Sequence, residues 1–274
     1  MKRVLVTGST GFVGRHIIGA LQKHPVKVRA IVRTGKAEKL SDFPCIDEIV
    51  ETENLFTEDE NWWADAAQDV DIVIHSAWYA EPGKYVNSVE NINCLTGTLT
   101  MAKGCITAGV NRFVGLGSCA EYDTSFGFLS VNTPLKPTVI YTDAKASAYL
   151  TLSHWLPESG VEFVWCRLFY LFGDGEDKRR FIPYLHSKLA AGEKADLSSG
   201  NQIRDYLNVA DAGQMIVDAA MQGKTGAVNI CSGIPVTIKQ LAESIADEYN
   251  RRDLLNFGAR PDNLIDPPCI VGIP

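Results

Sequence analysis

One eight-residue turn, Thr7-Gly8-Ser9-Thr10-Gly11-Phe12-Val13-Gly14, limits what this chain can fold into more than any other stretch. A short apolar run, Arg3 to Thr7, stands ahead of it. Behind it, Val13, Ile17, Ile18 and Leu21 fall on one face of a 3.6-residue repeat, so the turn joins a strand to a helix. Glycines three residues apart allow a tight turn and let the helix pack close to the strand with its positive end toward bound phosphates. Three glycines alone would equally suit a structural turn. In this strand-turn-helix setting the favoured reading is a dinucleotide pyrophosphate held by Gly8, Thr10, Gly11, Phe12, Val13 and Gly14.

The rest of the chain repeats that unit. Val26 to Val32, Val70 to His75, Arg112 to Leu116 and Val161 to Leu168 read as further strands, separated by segments of helical length. Near-continuous Val/Ile runs belong to strands buried on both faces, which predicts an α/β fold with a Rossmann-type, doubly wound parallel sheet. The expected division is a dinucleotide-binding domain over 1–166, completed by segments near 204–231, and a small C-terminal substrate-binding lobe from 167–203 and 232–274. Within that lobe a helix is expected from Ile182 to Ala191, with a late helix marked by Ile238, Leu241 and Ile245. Asp174 to Arg180 reads as a solvated charge run, and Pro267 to Pro274 carries no helix or strand signature and reads as an open or trimmed end.

Bulk properties exclude several classes. The 274 residues are 46% hydrophobic and carry a net charge of -7, which disfavours a nucleic-acid partner. No signal peptide and no run of 18 apolar residues is present, so no membrane association and a cytoplasmic location are expected. Seven cysteines without a C-x-x-C pair and five histidines without H-x-x-x-H spacing suggest reduced thiols and no metal site.

An acid at the end of the second strand usually binds the ribose 2'-hydroxyl of NAD. This chain instead has Arg33, which suits a 2'-phosphate, although a strand-end arginine can also be a plain solvated charge. NADP is favoured and NAD is possible. Downstream, Tyr141 and Lys145 lie four apart on an expected helix, on one face. A free phenol has a pKa of about 10, and an ammonium about 4 Å away in a partly shielded site is worth on the order of 4 kcal/mol, enough to recover three pH units. Ser118 ends the strand at Arg112 to Leu116, where ligands of such sheets bind. A lone Tyr-x-x-x-Lys pair is more often a helix surface. Behind a glycine turn and a strand-end serine, Ser118, Tyr141 and Lys145 read as catalytic.

At these residues the chain resembles the extended short-chain dehydrogenases/reductases, in their NAD(P)-dependent nucleotide-sugar epimerase/dehydratase branch. The ordered matches also include Asp71 to Ala77, Tyr122, Arg167-Leu168-Phe169, Arg204 to Asp211 and Asn229 to Gly233. The resemblance implies that Tyr141 is general acid or base on a sugar hydroxyl, that Lys145 also holds the nicotinamide ribose, and that Ser118 bonds the reacting oxygen. It further implies cofactor contacts at Ser76 and Ala77, substrate contacts at Cys119 and Tyr170, a diphosphate contact at Arg204, and a homodimer. For Arg204 the bland reading is an ion pair with Asp205 or a neighbour. The chain departs from the family where dehydratases keep an Asp-Glu pair, since Cys119-Ala120 stand there and disfavour water elimination. It also has Tyr170 in place of a usual asparagine, and Cys94, beside Asn93, in place of another. The expected activity is hydride transfer at an alcohol or ketone carbon, C4, of a nucleotide-linked sugar. The alternatives are a reductase of a non-nucleotide carbonyl compound and a non-catalytic NADP-sensing regulator.

Overall fold

The computed structural model describes residues 1–263 and 265–274. Seven parallel strands form the main sheet: β1 (Lys2–Thr7), β2 (Val26–Arg33), β3 (Ile46–Thr52), β4 (Ile72–His75), β5 (Arg112–Ser118), β7 (Glu162–Leu168) and β11 (Gly226–Ile230). Their order is β11-β7-β5-β4-β1-β2-β3, so the connection reverses direction between β1 and β4. Helices α1 (Phe12–Leu21) and α6 (Val209–Met221) cover one face, while α2 (Glu60–Ala66), α3 (Glu90–Thr107) and α4 (Ile140–Glu158) cover the other. The alternation along β1 shows why the strand reads as unbroken hydrophobic sequence. Val4 and Val6 pack with Ile17, Ile18 and Ile216 on one side, and Leu5 packs with Trp63, Met101 and Leu152 on the other. This is the expected doubly wound α/β sheet.

A second sheet lies beyond the carboxyl edge of the first. It contains β6 (Phe128–Leu129), β8 (Tyr170–Phe172), β10 (Ile203–Asn208), β12 (Pro235–Thr237) and β14 (Cys269–Gly272). Helices α5 (Phe181–Ala190) and α7 (Ile238–Glu248) pack with the short pair β9 (Ala195–Asp196) and β13 (Leu255–Asn256) around Leu185, Leu189 and Ile245. Thr237 caps α7 through a capping box with Gln240. Within 204–231, α6 and β11 join the main sheet, whereas β10 belongs to the second.

The C-terminal segment corrects the sequence reading. Residues 269–272 form β14, between β10 and β6, and Val271 is fully buried. Asp205 accepts from Gly272 N at 3.1 Å, and Asn229 Nδ2 donates to Ile273 O at 3.0 Å. Side chains more than forty residues upstream thus hold a segment that has little local propensity of its own. Among the described residues, no helix is long and apolar enough to cross a membrane.

Candidate active site

Where strand order reverses, the loops after β1 and β4 separate and leave a crevice. A polar chain fixes their ends. Thr98 Oγ1 donates to Cys94 O at 2.7 Å and so receives its bond from His75 Nε2–H at 2.9 Å. Nδ1 of His75 is then an acceptor for Thr7 Oγ1 at 2.8 Å, and Thr7 in turn accepts Ala77 N–H at 3.2 Å. Burial, with the Lys145 charge nearby, pushes His75 down to about 3, so the imidazole stays neutral and the chain of bonds keeps one polarity. Ala77 is thereby set against the glycine turn: a β-carbon on Gly8 would stand 2.7 Å from Ala77 N.

The turn itself fits a diphosphate. Gly11 caps α1 with no side-chain hydrogen bond, and the first turn of the helix holds no acid, so its N–H groups meet no competing side chain. Gly8, Thr10, Gly11, Phe12, Val13 and Gly14 all line one cleft of about 1310 Å³, together with Arg33, Ser76 and Ala77. Two lysines that the sequence reading did not single out, Lys36 and Lys39, line the same end as Arg33. They lie around a short 3₁₀ turn, Ala37–Leu40, that carries them back beside the β2 terminus.

Toward the second sheet the same cleft is walled by Ser118, Cys119, Tyr141 and Tyr170. Ser118 ends β5, and its backbone N–H donates to Glu121 Oε1 at 2.7 Å. Glu121 is fully buried; its carboxylate also accepts from Arg167 Nε at 2.8 Å and from Trp165 Nε1. A buried ion pair thus fixes the serine, and Glu121 is not free to serve as the missing dehydratase acid. Cys119 does not replace that acid either, since burial pushes its thiol up to about 12.

Tyr141 and Lys145 both sit in the first turns of α4, but only Tyr141 lines the cleft, and the ammonium lies buried behind it without a bond to the phenol. Lys145 is 4% exposed. Its Nζ donates to Leu116 O at 2.6 Å and lies 3.7 Å from the centroid of the Trp78 ring. Burial pushes it down to about 7, and Glu121 and Cys94 oppose that shift. Tyr141 packs edge-on against Tyr85, with centroids 4.9 Å apart. Burial raises its pKa above the ordinary phenol value, and the nearby Ser118 hydroxyl pulls the other way. Burial thus favours the protonated phenol, where the charge argument from sequence makes it a cheaply ionised base.

Arg204 also departs from expectation. It is 3% exposed and absent from the cleft wall. Its Nη2 meets Asp266 Oδ2 at 2.7 Å, and the guanidinium lies 5.5 Å from the Tyr170 ring centroid. A cation this deep needs a paired anion, and Asp266 supplies it in place of a phosphate. Asp205, the partner considered from sequence, instead accepts from Ser232 and Gly233. Conversely, the charge run read as solvated contributes Glu176, Asp177 and Arg180 to the cleft wall. Cys94 lines the cleft, while Asn93 points to solvent. All seven cysteines are free, and no cluster of three or more metal-ligating side chains occurs among the described residues.

Residues 4–231 match the model of the NAD dependent epimerase/dehydratase family. Over 98% of both chains, the sequence is 23% identical to a dTDP-6-deoxy-L-talose 4-dehydrogenase (NAD(+)) of Aggregatibacter actinomycetemcomitans. It is 26% identical to a dTDP-4-dehydro-6-deoxy-D-allose reductase of a Streptomyces species, over 100% of this chain and 86% of that one. The solved structure of a UDP-N-acetylglucosamine 4-epimerase from Methanobrevibacter ruminantium, in complex with UDP-N-acetylmuramic acid, superposes with a TM-score of 0.83 at 25% identity. That match covers 99% of this chain and 89% of the other.

Proposed function

The chain belongs to the NAD-dependent epimerase/dehydratase family, and from that premise we propose that it reduces the C4 ketone of a nucleotide-linked 6-deoxy sugar with NADPH. The observation that carries this reading is the Tyr141 phenol, kept protonated by burial and facing, with Ser118, the same cleft as the glycine turn. A bound dinucleotide supplies the hydride that adds to the sugar carbon. As the carbonyl π pair moves onto oxygen, the O–H proton of Tyr141 passes to that oxygen, and Ser118 donates a hydrogen bond that holds it in line. Lys145, when charged, favours the phenolate left behind.

Cys119-Ala120 in the dehydratase acid-base position support a substrate that has already lost its C6 hydroxyl. The 6-deoxy sugars named for the talose dehydrogenase and the allose reductase agree with this. A cytoplasmic homodimer is part of the same reading and is supported by the family likeness alone. The test is to incubate the protein with NADPH or NADH and a panel of 4-keto-6-deoxy nucleotide sugars while following nicotinamide absorbance; tight NADPH binding without turnover would leave a sensor. The burial of Arg204 against Asp266 favours a second reading, a carbonyl substrate without a diphosphate. Turnover of the free keto-sugar at the rate of its nucleotide form would select it.

The preference for NADPH rests on Arg33, with Lys36 and Lys39 beside it and no acid at the end of β2. Charge-assisted hydrogen bonds of this kind contribute about 1.5–3 kcal/mol each. Arg33→Ala is therefore expected to raise KM for NADPH by roughly tenfold to a hundredfold, with KM for NADH within about threefold. Equal losses with both cofactors would remove the 2'-phosphate contact.

A further inference from the structure

Between β4 and α3 lies a segment, residues 76–89, without helix or strand, and it forms part of the cleft wall that Tyr141 also lines. Loops of this length inside a compact fold need internal fastening. Ala77 and Val86 are tied to Thr7 and to the Tyr141 N–H, and one further side chain holds the segment at three points. Asn91, in the first turn of α3, is fully buried. Its Oδ1 accepts Trp78 Nε1–H at 2.8 Å, and its Nδ2 donates to Tyr85 O at 2.6 Å and to Ser88 O at 2.9 Å. An indole can only donate and a carbonyl can only accept, so the amide has one satisfied orientation.

The two aromatic residues fixed in this way are the ones that touch the acid-base pair. The Trp78 face lies 3.7 Å from Lys145 Nζ, which also donates to Leu116 O, and the Tyr85 ring stands edge-on to Tyr141 at 4.9 Å. We propose that Asn91 is a positioning residue, whose single carboxamide sets both the indole face that receives the Lys145 ammonium and the wall that orients the Tyr141 phenol. The consequence for chemistry rests on the reductase reading given above; the effect on Lys145 does not. Because burial leaves Lys145 near neutrality, its charge responds to small changes in what faces it. The facing groups are Glu121, Cys94 on α3 and His75 on β4, with Tyr141 one turn away on its own helix.

The test uses the emission of Trp78, isolated as the difference between each protein and its Trp78→Phe counterpart and titrated with pH. A step that is absent from Lys145→Met reports the ammonium. Asn91→Leu is expected to move that midpoint by half a pH unit or more, and to lower kcat tenfold or more with sugar KM within about threefold. If Asn91→Leu does not fold, Asn91→Ser, which cannot span both partners, is judged by the same criteria. A lowered Tm with an unmoved midpoint and an unchanged kcat would overturn the proposal and leave Asn91 merely structural. If the wild type reduces no keto-sugar, the reductase reading fails, and the emission midpoint alone decides the role of Asn91.

Discussion

Tyr141→Phe is expected to lower turnover by roughly a hundredfold to ten-thousandfold, the usual span of a general acid or base, while NADPH affinity stays within about twofold. The substitution removes one oxygen. The ring keeps its packing against Tyr85, the backbone N–H of Tyr141 keeps its 3.0 Å bond to Val86 O, and Thr142 Oγ1 still accepts from the Thr138 and Val139 N–H groups at the start of α4. On the proposed mechanism, what is lost is the proton that reaches the sugar oxygen as hydride arrives. Ser118 is left able to bond that oxygen but far too weakly acidic to protonate it. Loss of kcat at unchanged sugar KM, measured alongside cofactor binding by quenching of intrinsic fluorescence, would fit a contact made only in the transition state. A rate equal to wild type would exclude the phenol from the chemistry.

What could be read in advance follows the range of the interactions involved. The main sheet was legible because strands such as Val4-Leu5-Val6 are buried on both faces, which writes their environment into consecutive residues. Strand β3 was not, since Ile46-Asp47-Glu48-Ile49 at the sheet edge is only half buried and carries charges. The second sheet escaped for a different reason. Its strands are two to six residues long, and their partners, such as Ile203 with Cys269, are distant in sequence, so no local period forms. The glycine turn and the Ser118, Tyr141 and Lys145 positions were legible because strand ends and helix starts place them, whatever surrounds them. Their neighbours were not. Trp78 against Lys145, and Asp266 against Arg204 across 62 residues, are contacts that only the folded chain creates. Each changes chemistry: one gives the ammonium a partner other than the phenol, and the other neutralises a cation expected to face phosphate.

Gly14→Ala tests the turn on which the cofactor reading stands, and it is expected to be the most damaging single-carbon change in the chain. The added β-carbon would stand 2.1 Å from Gly8 O, 2.7 Å from Gly8 C and 2.9 Å from Ser9 Cα, all backbone atoms with no rotamer to yield. Gly8 has no room to retreat, because it holds φ +66 against Ala77 N, and Ala77 is tied through Thr7 and His75 to β4. Helix α1 is held as well, with Ile17 and Ile18 packed among Ile216 and Val217 of α6. Relief requires opening the turn or lifting the helix, at a cost of about 1–3 kcal/mol or more, and either movement swings the α1 N–H groups away from a diphosphate. NADPH affinity should fall about a hundredfold or more, with Tm lower by several degrees in the absence of cofactor. Gly11→Ala is the control, since its β-carbon meets only Gly8 O, at 3.1 Å, and its φ of -82 suits any residue. It should weaken binding far less. Equal losses in the two variants would mean that removing flexibility, and not the close approach of helix to strand, is what the turn cannot tolerate.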